Sequence, residues 1–220
     1  MLLNNPIEQV LILLPALIFA LVIHEVSHGL MAYALGDPTA KHDGRLTLNP
    51  IKHLDPMGLI CLLLAGFGWA KPVMVNAYNL KHPKIGMALI AAVGPLSNFL
   101  MAFIGVMFVV GLGSFAPGVP RFIIDLLLVF SHINVLLGVF NLLPIPPLDG
   151  SKVVGALLPD GLYHQYMAIG RYGMIILVIL MVTGRTWQII SPIMEAILNA
   201  LVNIAVAIYT VLFQLWAVMT

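Results

Sequence analysis

His24-Glu25-Val26-Ser27-His28 is a pattern that can bind a metal and put it to work. On a helix, two histidines four residues apart present their imidazoles one turn apart on a single face, where both can hold one Zn²⁺. The glutamate between them then lies beside a water held by the metal. Such a constellation activates water for attack on a peptide carbonyl, the chemistry of a metalloprotease. The structural alternative is two histidines and a glutamate hydrogen-bonded within a helix bundle. The surroundings weigh against it, because the motif is embedded in a long apolar run, and ionisable groups at membrane depth are costly and usually functional.

The elements that must position these residues are membrane helices. The 220 residues are 61% hydrophobic and 9% charged, with a mean hydropathy of +1.05, too little polar surface to cover a soluble globule. A net charge of +1 and the absence of a long basic run argue against a nucleic-acid partner. Cys61 is the only cysteine, which excludes an intramolecular disulfide and a cysteine-rich metal site. The first apolar run has no basic n-region and continues into the histidine motif, so it reads as a retained helix, not a signal peptide.

Five stretches are apolar and long enough to span: residues 7–35, 85–112, 122–143, 167–183 and 187–219. The sequence therefore predicts an all-α polytopic membrane protein with about five transmembrane helices. It reads as one domain over 1–220, with a catalytic core over about 7–155 and additional helices over about 165–220. Between the first two spans, Asp43-Gly44 followed by Arg45-Leu46-Thr47-Leu48 reads as a turn into a strand, and Val73-Met74-Val75 as extended backbone. Between them, segment 57–70 is apolar but short and carries Gly58, Gly66 and Gly68, which fits a re-entrant or membrane-edge element better than a span. Residues 40–76 are thus expected to form a small membrane-associated β-element, the alternative being an irregular amphipathic loop.

With five spans, Lys41, Arg45, Lys52, Lys71, Lys81, Lys84, Lys152 and Arg171 fall on one side, and Arg121 and Arg185 on the other. This bias predicts a cytoplasmic 36–85 loop, an N-terminus outside and a C-terminus in the cytoplasm. His28 lies about seven residues before the cytoplasmic end of its helix, roughly 10 Å at 1.5 Å per residue. The metal is therefore expected inside the membrane zone, nearer the cytoplasm.

A catalytic zinc takes three protein ligands and keeps an open position. The span over 122–143 runs toward the cytoplasm, so Asp149 arrives near the depth of His24 and His28, while His132 sits more than about 10 Å away toward the opposite face. His132 reads as a packed, hydrogen-bonded core histidine. Asp149 either completes the metal site or, as part of Asp-Gly, shapes a turn. Asn98 and Asn141 can each hold a substrate backbone or oxyanion, or bond between helices.

HExxH in a transmembrane helix, Gly94-Pro95-Leu96-Ser97-Asn98 in the next, and Asn141 followed eight residues later by Asp149-Gly150 together resemble the site-2 protease family of intramembrane zinc metalloproteases. Phe67-Gly68-Trp69-Ala70-Lys71-Pro72-Val73 and Gly44-Arg45-Leu46-Thr47-Leu48-Asn49-Pro50 further resemble its short prokaryotic members, which consist of little besides the catalytic core. The resemblance covers about residues 20–155. It implies one Zn²⁺ per chain held by His24, His28 and Asp149, with Glu25 as catalytic base and Asn98 and Asn141 in support near the substrate. It also implies transmembrane protein substrates, a lipid bilayer as surroundings and a prokaryotic cell membrane as location. The chain departs from better-known members in having no additional helix before the HExxH helix and no PDZ or nucleotide-sensing domain. A membrane metal transporter or a non-catalytic metal-binding scaffold is the alternative function. Transport needs coordinating groups spread along a crossing path, whereas these gather at one depth.

Overall fold

The computed structural model describes residues 6–65, 68–116 and 118–219. The helices are α1 (Pro6–Ala34), α2 (Thr39–His42), α3 (Pro56–Ala65), α4 (Pro83–Phe115), α5 (Arg121–Asn141), α6 (Asp149–Leu157), α7 (Asp160–Ala168), α8 (Gly170–Val182) and α9 (Arg185–Met219). Four of them, α1, α4, α5 and α9, are each long and apolar enough to cross a membrane. The chain is a multi-pass membrane protein.

α4 lies at the centre and packs against α1, α5, α6 and α9. Lipid gives helices no hydrophobic reason to associate, so close approach depends on small residues. A Cβ at Gly105 would strike the Ser131 hydroxyl, and one at Gly138 would lie 2.5 Å from the Phe99 ring, which sets the α4–α5 contact. Ala16 and Ala20 do the same for α1 against Ile133 of α5.

α1 ends where Gly36 adopts a φ of +103°. This left-handed turn lets Asp37 N–H return to the Ala32 carbonyl at 2.9 Å and suits glycine. The buried Asp37 carboxylate then accepts from Thr39 N–H and its hydroxyl, the Asn79 amide and Asn76 N–H. Burial alone raises the pKa of this carboxyl, but those donors outweigh it and hold the group below the usual carboxylate range. The knot ties the end of α1 to the segment that leads into α4.

The expected β-element is not formed. Among the described residues the only pairing of this kind is an isolated antiparallel bridge between Leu54 and Ala70, beside Lys71 N–H donating to the His53 carbonyl at 2.8 Å. The apolar segment after Asp55 is helical because the Asp55 carboxylate accepts Gly58 N–H at 2.9 Å and Pro56 takes the first helical position. Gly58 serves packing, since a Cβ there would collide with the Trp69 carbonyl. Residues 44–48 turn instead of extending, and the Asn49 side chain caps the short 3₁₀ turn Pro50–Lys52. Residues 71–76 lack helical or strand pairing. Gly66 and Phe67 lie outside the described residues.

The C-terminal helices differ from simple alternation. α7 and α8 form a pair bent by 52°. The pair starts beside Lys84, where Asp160 accepts at 2.9 Å, and Gly173 of α8 lies against the Pro146 carbonyl. α9 then begins near the end of α5, with Ile190 and Met194 clustered with Ala102, Val135 and Val139. It finishes near the end of α4, where Tyr209 donates to the Met107 carbonyl at 3.1 Å and its ring meets Phe115. α9 therefore runs parallel to α4 and antiparallel to α5, and α7–α8 starts and ends at the same end of the bundle. The C-terminal end of α9 lies at the end opposite the 36–85 loop, whereas five alternating spans would bring the two together.

Candidate metal centre

His24 and His28 lie one turn apart on α1, and Asp149 opens α6 just after the proline-rich turn that follows α5. Gly150 makes this junction possible, because a Cβ there would run into the Leu142 carbonyl at the end of α5. All three side chains are buried. His24 Nε2 and His28 Nε2 are 3.0 Å apart, and Asp149 Oδ2 lies 3.2 Å from the first and 3.0 Å from the second. The donors of a tetrahedral zinc with bonds of about 2.0–2.1 Å are separated by about 3.3 Å.

The hydrogen bonds behind the rings fix what this triangle is made of. His24 Nδ1 is 2.7 Å from Asn98 Oδ1. The Asn98 amide nitrogen donates to the Ala20 carbonyl and to Asn134 Oδ1, so its oxygen faces His24 as an acceptor. His28 Nδ1 is 2.7 Å from the Ile90 carbonyl, which can only accept. Both rings therefore carry their protons on Nδ1, and in the neutral state both Nε2 atoms present lone pairs. Two imidazole lone pairs and a carboxylate oxygen converge with no proton of their own to share, an arrangement that calls for a cation. Lys152 approaches the other carboxylate oxygen, Oδ1, at 3.4 Å. These three residues are the one group among the described residues with metal-holding geometry.

α4 crosses α1 directly over the cluster at Gly94. A Cβ there would lie 2.5 Å from His28 Nε2 and 2.7 Å from His24 Cε1, so the absence of a side chain leaves the rings their space. Glu25 projects beside the cluster, half-buried, and its Oε2 accepts the Val73 backbone N–H at 2.8 Å.

Asn98 thus joins the group through His24. Asn141 does not, since its amide donates to Leu137 of its own helix at 3.0 Å. His132 is hydrogen-bonded as expected, Nδ1 donating to the Leu128 carbonyl at 2.8 Å, but it is exposed and not a core residue, because it faces a groove shared with Glu195 and Asn199 of α9. Sequence reasoning missed Asn134, fully buried behind Asn98, although a polar side chain seven residues before Asn141 in an apolar helix was a signal for it. It also gave no role to Arg45 and read Val73 only as part of an extended segment, although both lie in the stretches that resemble short prokaryotic members of the family.

Residues 119–183, a stretch that includes Asn141 and Asp149, match the profile of peptidase family M50. The chain is 38% identical over 209 residues to a Bacillus subtilis protein provisionally named zinc metalloprotease YwhC, covering 90% of this chain and 94% of that one. It is 28% identical over 174 residues to a Mycolicibacterium smegmatis protein provisionally named zinc metalloprotease Rip2, covering 76% of this chain and 64% of that one. A provisionally named zinc metalloprotease of Methanocaldococcus jannaschii is 36% identical over 99 residues, 44% of this chain and 49% of that one. No solved structure matches significantly. The donor set and these relatives together indicate Zn²⁺ as the cofactor.

Proposed function

Because the chain belongs to the site-2 protease family, peptidase family M50, we propose that it is an intramembrane zinc endopeptidase that hydrolyses peptide bonds within or near the transmembrane segments of other membrane proteins. The observation that carries this reading is the triangle of His24 Nε2, His28 Nε2 and Asp149 Oδ2, with both Nδ1 protons already committed elsewhere. These three residues hold the zinc. Bound there, zinc supplies Lewis-acid polarisation of the scissile carbonyl and a water acidic enough to be a nucleophile near neutral pH.

Glu25 is the general base. One of its oxygens is fixed by Val73 N–H and the other makes no hydrogen bond among the described residues, so the carboxylate is oriented yet free to take a proton and return it to the leaving amine. Asn98 orients His24 and fixes its tautomer. The bond of Asn141 within its own helix favours a structural role for it. A substrate helix must unwind before its peptide bond can be attacked, and the freed backbone groups then need partners. Residues 74 and 75, which have no helical or strand pairing, are the backbone nearest to Glu25 that could meet that need.

The site faces the cytoplasm. With α7–α8 starting and ending at one end of the bundle, Lys41, Arg45, Lys52, Lys71, Lys81, Lys84, Lys152, Arg171 and Arg185 all gather at the end nearer the metal cluster, leaving Arg121 alone at the other. Both termini are then outside. Transport is the weaker reading, because the described residues offer one metal-holding group and no series of groups at successive depths.

The test is cleavage of a transmembrane peptide in liposomes by the purified chain and by Glu25→Gln, with zinc counted in both. Glu25→Gln should keep its zinc and lose turnover by orders of magnitude. Zinc-loaded protein that cleaves no membrane peptide, or a Glu25→Gln variant that cleaves normally, would overturn the proposal.

A further inference from the structure

The geometry points to Arg45 as a positioning residue for Glu25, acting through the peptide group that joins Pro72 to Val73. The inference rests on the reading of Glu25 as the base. Arg45 is 7% exposed. Its guanidinium donates to the Lys52 and Lys71 carbonyls and to the Pro72 carbonyl at 3.2 Å, and it makes no ion pair among the described residues. Its Nε is buried without a partner. A buried cation that has only carbonyls around it is costly, so the fold keeps an unneutralised charge at a place where aliphatic packing would serve a simple loop anchor.

What lies beyond those carbonyls explains the position. The Pro72 carbonyl and the Val73 N–H belong to one trans peptide, planar and rigid, with C=O and N–H pointing in opposite directions. Arg45 binds the oxygen end, and Glu25 Oε2 accepts from the nitrogen end at 2.8 Å. A cation at the oxygen polarises the unit and strengthens the N–H as a donor. The carboxylate and the guanidinium thus address each other through a single dipole, without a salt bridge that would occupy the base. Around this unit, residues 71–76 have neither helical nor strand pairing; besides Val73, their backbone N–H groups bonded among the described residues are those at the ends, Lys71 N–H to His53 and Asn76 N–H to Asp37, and Val75 packs beside Leu80 and Ile90. Without Arg45, the 72–73 peptide is free to turn and Glu25 loses its fixed oxygen. None of the hydrogen bonds to His24, His28 or Asp149 runs through this segment, so zinc binding is independent of it.

The experiment compares the full chain with Arg45→Gln, Arg45→Lys, Val73→Pro and the Arg45→Gln/Val73→Pro double variant in liposomes. It reads kcat and KM on a transmembrane peptide, zinc per chain, and hydrogen exchange at the Val73 amide. Arg45→Gln should lower kcat about 10- to 100-fold with KM changed less than about threefold, keep full zinc, and speed exchange at Val73. Arg45→Lys should recover only part of kcat, because an ammonium cannot span three carbonyls as the guanidinium fork does. Val73→Pro removes the donor with Arg45 in place and should reproduce the kcat loss. The double variant should lose no more than either single one, as expected for two parts of one connection. Unchanged kcat in Arg45→Gln while Glu25→Gln is inactive would sink this inference and leave the base reading intact, as would unchanged exchange at Val73 or additive losses in the double variant. An active Glu25→Gln would sink the base reading itself. Should Arg45→Gln fail to fold, Val73→Pro with normal kcat is sufficient to refute the connection.

Discussion

Gly94→Ala puts the α1–α4 crossing to its sharpest test. The new methyl would lie 2.5 Å from His28 Nε2 and 2.7 Å from His24 Cε1, about 0.7–0.9 Å inside the closest ordinary contact. Metal-site distances tolerate about 0.2 Å, so the displacement needed is three to five times what the ligand set can absorb. The rings cannot simply rotate away. His24 is bonded through Nδ1 to Asn98 and His28 to the Ile90 carbonyl, both on α4 itself, so the helix that carries the intruding methyl also holds the rings in its path. The expected outcome is a fall of at least about 100-fold in zinc affinity and in cleavage. Alanine is the better helix former by about 1 kcal/mol, so a fall in secondary structure would not explain the loss. Gly113→Ala is the matched control, in the same helix with nothing within 4 Å of its Cβ position. Zinc per chain at buffered free zinc and cleavage of a membrane peptide are measured for both. If Gly94→Ala keeps stoichiometric zinc and full turnover, α4 does not cross α1 at the imidazoles and the centre described above is wrong.

Asn98→Ala should cost about 10- to 100-fold in zinc affinity by releasing His24 from its tautomer and orientation, while Asn141→Ala should leave zinc affinity unchanged. Equal losses in metal titrations would return Asn141 to the site. In a background lacking Cys61, single cysteines at Asp43, Gly118 and Ala217 should separate into one labelled from the cytoplasm and two labelled from outside intact cells. Labelling at Ala217 from the cytoplasm would contradict the direction assigned to α9.

The parts of this protein that were legible in the sequence are those whose meaning depends on spacing along one helix. His24 and His28 lie four residues apart, and helical geometry alone brings their rings to one face. Asp149 became legible through direction, since the end of α5 had to arrive near the depth of those rings. The structure brings it to within hydrogen-bonding distance of both. The short helix α3 was only partly legible. Asp55-Pro56 is a helix start, yet the glycines of 57–70 and the flanking segments placed the stretch within an expected β-element. What requires Gly58 is the Trp69 backbone passing over it, a tertiary fact. Arg45, Asn134 and the space above Gly94 were hidden for the same reason, because each is defined by a segment distant in sequence.

The direction of α9 is different, because the information was present and the counting rule discarded it. Hydropathy measures whether a stretch is long and apolar enough to cross, and α7–α8 qualifies only as a pair with a 52° bend. Treating that pair as a crossing divides the ten basic residues eight to two, with Arg185 on the same side as Arg121. Letting the pair start and end at one end of the bundle, as the packing of Ile190 and Tyr209 requires, divides them nine to one. The charge bias and the helix contacts are independent of each other, and they prefer the same four crossings. Where an apolar stretch is marginal in length, the topology that sharpens the charge asymmetry is the one to test first.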